Sequence, residues 1–171
     1  MMKKLTLTIL ITIIVACGRK APPLSKGFAS AHELVQHQLN CIQTNDQKCF
    51  DAGLITYQEF KISVYPYLPE AKNAAGGISL EDYWGWTVPD RLKAKKALFT
   101  RFGGAPLVKF TIGEPKKNMN LGAIKLHRDI PLYADFRNPE KNTIHSMITT
   151  DFFKAVVEVN GQFKLLNMTY E

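Results

Sequence analysis

The apolar pattern of this chain changes period once, at Gly103-Gly104. Before that pair, apolar residues recur at three- and four-residue spacing. After it they recur at every second position. Helical side chains return to one face every 3.6 residues and strand side chains every two, so a run of helices is followed by a run of strands. With long polar connections and no βαβ alternation, that order predicts an α+β domain, its N-terminal helices packed on a C-terminal antiparallel sheet of five or six strands.

Local stop and start signals set the elements. Ser30-Ala31-His32-Glu33 reads as a capping box, ahead of a face made by Leu34, Val35, Leu39, Cys41 and Ile42. Thr44-Asn45-Asp46 breaks that helix, and Asp46 caps a short second one that Gly53 stops. Thr56-Tyr57-Gln58-Glu59 is a further capping box, opening a helix that ends before Pro66. Glu70 to Ala75 adds one or two turns. Ser79 caps a short aromatic segment. Thr87-Val88-Pro89-Asp90 then opens a separate helix running to Phe102, with proline in the first turn, where its missing amide costs nothing. Strands are predicted over 106–114, 121–128, 130–137, 143–150, 151–159 and 162–170, with a polar connection at 114–120. Asn160-Gly161 is a strong hairpin signal. It sets Val157 opposite Lys164, Ala155 opposite Leu166 and Phe153 opposite Met168, leaving one mainly apolar face for the helices to cover.

The N-terminus carries a different kind of message. Lys3 and Lys4 precede an apolar run, Leu5 to Val15, far short of the roughly 20 residues that cross a bilayer. A positive start, a short apolar middle and a small residue before a cut describe a secretory signal peptide. Ile14-Val15-Ala16-Cys17 resembles the lipobox of bacterial lipoproteins, in which the cysteine is acylated (palmitate among the chains) and becomes the mature N-terminus. The resemblance divides the chain into a signal peptide (1–16), a lipidated cysteine and flexible basic tether (17–29), and a single domain (30–171). It implies a membrane-anchored protein of the bacterial cell envelope. Glycine at position 18, rather than aspartate, favours the outer membrane in lipoproteins similar to the enterobacterial ones. The segment 18–29, GRKAPPLSKGFA, has prolines, glycines and basic residues but no periodicity, and fully extended it spans about 40 Å.

The opening helix, the break at Asn45-Asp46, the Thr56…Glu59-Phe60 segment and the final strands resemble parts of small NTF2-like domains. That resemblance implies a curved antiparallel sheet wrapped around helices to form a cone with a pocket. The helical stretch 66–102 departs from the usual order, in which strands come earlier.

Charge and cysteines narrow the partners. Removal of Lys3 and Lys4 lowers the formal +7 of the whole chain to +5, and the pI is near 9.3. For an exported, anchored protein the natural anionic partners are lipid head groups or envelope polymers rather than nucleic acid. A solvated basic face is the plainer reading. Of three cysteines, Cys17 takes the lipid, which leaves Cys41 and Cys49 to pair in an oxidising compartment. The C-x7-C spacing lacks the CxxC or histidine pair of a metal site, so neither metal nor cofactor is expected.

Motifs for catalysis are missing. The chain has no G-x-S-x-G elbow, no S-x-x-K, no P-loop and no dinucleotide fingerprint. His127-Arg128-Asp129 stands in a strand, outside any kinase context. His32 and His37 are five apart, which does not place them together on one helix face. What stands out is Tyr83-Trp84-Gly85-Trp86, together with Arg91 and Lys95, which project onto the apolar side of their helix. The aromatics read either as a pocket mouth or as a small core. The basic pair reads either as a grip on an anionic ligand or as alkyl stems lying along the core edge. These five residues are the candidate ligand-binding set, expected where the Tyr65–Trp86 segment meets the open end of the sheet. The function expected is binding or scaffolding, with an envelope protein or an anionic ligand as partner. The alternative is a small envelope enzyme with an NTF2-like pocket.

Overall fold

The computed structural model describes residues 20–72 and 76–170. Residues 1–19, where the sequence suggests a signal peptide and a lipidated Cys17, lie outside the described residues. Helices α1 (Ala31–Gln43) and α2 (Gln47–Ala52) precede a continuous helical stretch. That stretch is α-helical at Tyr57–Glu59 (α3), widens to a π-helix over Phe60–Val64 and tightens to a 3₁₀ turn at Tyr65–Tyr67. The short α4 (Pro69–Lys72) and the long α5 (Leu80–Phe102) follow. Five strands form one antiparallel sheet: β1 (Leu107–Ile112), β2 (Lys117–Asn120), β3 (Ile124–Arg137), β4 (Ile144–Val159) and β5 (Gln162–Asn167). Their order is β1-β3-β4-β5, and β2 also pairs with β3, beside its first half. This is the α+β arrangement expected.

Most of the helix signals operate as read. The Ser30, Asp46 and Ser79 side chains accept from the amides of Glu33, Cys49 and Asp82, and Thr56 with Glu59 completes a reciprocal capping box. At the first helix the returning carboxylate goes one residue further back, because Glu33 accepts from Ala29 N rather than from Ser30. The Cys41–Cys49 disulfide joins the last turn of α1 to α2 across 5.6 Å between Cα atoms. Closing so short a loop removes unfolded-state freedom worth about 2.5 kcal/mol.

Several expectations are corrected. Residues 80–102 form one helix, not two, with Pro89 inside it. The hydroxyl of Thr87, read as a helix start, donates instead to the carbonyl of Tyr83 one turn back (2.9 Å). Proline frees the carbonyl four residues earlier; here that residue is the exposed Gly85, beside open space, so the helix continues. The strands predicted over 121–128 and 130–137 are one strand, as are those over 143–150 and 151–159. Residues 117–120, read as connection, are β2. Asp129, at φ 53°, kinks β3, and just beyond it, between Ile130 and Leu132, the β3–β4 register shifts. The kink also exchanges faces: Leu126 joins one apolar cluster, Ile130 the other.

The β4–β5 hairpin turns on Asn160 and Gly161, both at positive φ, and Val157 does pair with Lys164. A bulge at Ala155/Val156 then shifts the register, so Ala155 faces Asn167 rather than Leu166. The hairpin does not have one apolar face. Val156 and Leu165 pack with α1, α2 and the end of α5, while Val157 and Leu166 pack with Ile55, Phe60, Val64 and Leu68. Successive strand residues point to opposite faces, so the consecutive apolar pairs are covered on both sides.

The stretch read as tether is also packed from residue 20 onward. Ala21 and Leu24 are buried, at 2% and 3% exposure, and Phe28 pairs its backbone with Phe163 in both directions. Pro22-Pro23 restricts the backbone between them to an extended course, which delivers Ala21 and Leu24 into the second cluster. The absence of a repeating period concealed three apolar residues with places in the core.

Glu59 ties this segment to the rest. Its carboxylate receives Ser25 N and Oγ (both 2.7 Å), Thr56 N and Oγ1 (2.9 and 3.0 Å), and the buried ammonium of Lys164 (2.9 and 3.1 Å). Burial pushes its pKa upward, but the hydrogen bonds from Thr56, Lys164 and Ser25 outweigh that and bring it from 4.5 to about 2. The folded chain therefore keeps this group ionised where the unfolded chain binds a proton. Its stabilisation is complete above pH 4.5 and is lost as pH falls through about 2. Replacing Glu59 by Gln strands the Lys164 charge and should cost about 3 kcal/mol in urea denaturation at pH 7. Glu59→Gln with Lys164→Met should recover part of that loss; equal stability of wild type and Glu59→Gln would show that the pair does not hold the segment.

Candidate binding cleft

The two halves of the helical layer meet the bent sheet at a narrow, enclosed cleft of about 80 Å³. Leu68, Pro69 and Glu70 form one lip, Tyr83 and Thr87 of α5 the roof. The sheet supplies the floor from four strands: Met119, Leu126 and Arg128, Lys154 and Ala155, Leu166 and Asn167. A cavity needs roughly 10–15 Å³ per water, so the space holds several waters or one group of phosphate or carboxylate size. It opens where the Tyr65–Trp86 segment meets the sheet.

Strand pairing creates it. Arg128 shares a face with Leu126, two residues before it, and pairs with Ala155 across the β3–β4 ladder. The bulge beside Ala155 brings Asn167 alongside. Lys154 Nζ lies 3.8 Å from Asp129 Oδ1, at the edge of the same cleft. The Tyr83 phenol is pushed above its usual pKa by burial and by the negative charge of Glu70, with Arg128 pulling the other way. Two cations, Arg128 and Lys154, and two carboxylates, Glu70 and Asp129, thus border the cleft. The Thr87 hydroxyl is committed to the Tyr83 carbonyl. A guanidinium, an ammonium and a phenol on a mixed polar and apolar lining are groups that can hold and orient a small anion.

Only Tyr83 of the five candidate residues lines this space. Trp84 packs on Phe60 (5.3 Å between ring centres) and edge-on to Tyr57 (5.5 Å), holding α5 against the Tyr57–Tyr67 stretch. Trp86 lies 63% exposed on the outer side of the helix. Arg91 is buried and points to the protein's own backbone: Nη1 donates to the carbonyls of Ile55 (3.1 Å) and Leu166 (3.4 Å), with the guanidinium 5.1 Å from the centre of the Trp84 ring. Burial lowers its pKa, and Asp51 opposes that. Lys95 is paired to Asp51 Oδ1 at 2.6 Å.

Arg128 and Lys154 were not singled out from the sequence. Each is an ordinary strand cation, and only the pairing of β3 with β4 brings them to one cleft. The sequence also held a missed sign of Glu59–Lys164, a lysine standing inside the apolar run Phe163-Lys164-Leu165-Leu166.

Near the disulfide, His37 Nε2 lies 3.0 Å from the Cys49 carbonyl and 3.5 Å from Cys41 Sγ. His37, Cys41 and Cys49 are the one group of metal-ligand type among the described residues, and both sulfurs are taken by the bond between them. No described helix is long and apolar enough to cross a membrane. Comparison with family models, curated proteins and solved structures returns no match.

The inward-turned basic pair separates by measurement. Arg91→Met removes the donor to two buried carbonyls and should cost about 2 kcal/mol in urea denaturation. Lys95→Met should cost no more than about 1 kcal/mol, since its partner Asp51 is half exposed. Equal losses would remove the structural assignment of Arg91.

Proposed function

We propose that this protein is a bacterial cell-envelope lipoprotein, anchored through acyl chains on Cys17, whose domain is a binding module for a small anionic group. The N-terminal pattern ending Ile14-Val15-Ala16-Cys17 supports the anchor. The Cys41–Cys49 bond is consistent with an oxidising compartment. The observation that carries the binding reading is the narrow cleft at the bend of the sheet, lined by Arg128, Lys154 and Tyr83 among apolar side chains. Glu59 and Lys164 are the buried ionisable pair that an enzyme reading looks for, yet every contact they make is structural. A carboxyl held at about 2 is a fixed charge rather than a proton carrier at neutral pH.

Two measurements test this. When the full chain is made in a bacterial host fed an alkyne fatty acid, the wild type should take up the label and Cys17→Ser should not. Native mass spectrometry of the same protein with inorganic phosphate and small carboxylates should show a one-to-one adduct. Arg128→Gln should weaken it about tenfold, as loss of a charge-assisted hydrogen bond implies. An adduct indifferent to Arg128 would place the site elsewhere and end the cleft assignment.

A further inference from the structure

The position of Lys20 fixes how far the domain can stand from an anchor at Cys17. Lys20 borders an open hollow of about 570 Å³ at the hairpin end of the sheet, together with Tyr67, Leu121, Gly122, Lys125 and Asn160. The next residues are held: Ala21 and Leu24 are buried, and Asn160 Nδ2 donates to the Ala21 carbonyl at 2.8 Å. The chain therefore joins the domain at the tips of the β2–β3 and β4–β5 hairpins. From Cys17 to Lys20 is three residues, which reach at most about 11 Å. The 40 Å leash suggested by the sequence does not exist.

From this geometry we infer that the hairpin end is a membrane-apposed surface whose partner is the anionic head-group layer of the bilayer that holds the acyl chains. This deepens the lipoprotein reading and rests on it. Lys20 and Lys125 are exposed at this end. Arg19 immediately precedes Lys20 in sequence. Basic residues next to an acyl anchor each add attraction to anionic lipid, and the two signals together hold a protein more firmly than one chain. Lys125 shares its charge with Glu158 (2.8 Å), so Lys20 and its sequence neighbour carry most of the attraction. The tips, Asn120-Leu121-Gly122 and Asn160-Gly161, carry one apolar side chain, Leu121, among short polar residues and glycines, and can approach a head-group layer closely. The opposite end of the β3–β4 hairpin, at Asn138 to Asn142, stands roughly 40 Å away along the strands, at about 3.3 Å per residue.

The test uses the full chain, acylated in a bacterial host and reconstituted into vesicles of phosphatidylethanolamine with phosphatidylglycerol. A fluorophore is attached through an azide-bearing residue at position 121 or, separately, at 140. A lipid with a nitroxide on its head group serves as short-range quencher. Fatty-acid labelling and flotation are scored first, so the anchor is read independently of orientation. The expected result is floated protein with the label at 121 quenched several-fold and the label at 140 unchanged. Lys20→Glu should reduce the quenching at 121 while flotation persists. Floated protein with both positions equally quenched, or with 140 the more quenched, overturns the apposition and leaves the anchor standing. Absence of acylation overturns the anchor and the apposition with it.

Discussion

One buried ion pair holds three separate parts of this chain in register. Glu59 begins the helical stretch, Lys164 lies in the middle of the last strand, and Ser25 belongs to the segment that leads in from the N-terminus. An isolated charge in that position would cost several kcal/mol. The site is tolerable because both carboxylate oxygens are saturated and the ammonium faces them directly. A hydrophobic contact would have allowed sliding along the strand. A charge that accepts from three named partners does not, so the pair specifies the docking of the N-terminal segment as well as stabilising it.

The sequence was most legible where the governing physics is local. Caps at Ser30, Asp46, Thr56 and Ser79, the break at Asn45 and the turn at Asn160-Gly161 each depend on a few neighbouring residues, and the structure places them as read. The disulfide belongs with them, as its cysteines are only eight apart. Illegible features were those decided by distant partners. Pro89 opens a helix in most contexts, but the aromatic packing of Tyr83 and Trp84 on Phe60 holds the preceding turns helical as well. The kink at Asp129 reads in the sequence as a strand end, and the bulge at Ala155 leaves no local mark; each changes which side chains share a face. The cleft is therefore nearly invisible in the sequence: Arg128, Lys154 and Asn167 meet only through the pairing of β3, β4 and β5 and the bulge at Ala155.

Arg91 illustrates how a correct observation can have an unexpected meaning. Its appearance on the apolar side of its helix is real, and the side chain does go inward. What awaits it is the main chain, because the stretch Gly53 to Ile55 runs beside β5 and leaves the carbonyls of Ile55 and Leu166 facing the helix. The guanidinium serves those acceptors, and its stem and face serve Trp84. A misplaced charge in a sequence is as often a request from the backbone as an invitation to a ligand.

The covering of β5 has a consequence for assembly. Phe28 on one stretch and Gly53 to Ile55 on the next occupy the outer hydrogen-bonding positions of that strand, so this side of the sheet is closed. On the opposite side, β1 and β2 have no further strand beyond them among the described residues. Main-chain pairing between molecules thus has one open side to use. Two copies joined through it consume the open side of each, which ends growth at a pair. Among the described residues, a sheet of this construction can form a symmetric couple but offers no second open edge by which to extend into a fibre, strand added to strand.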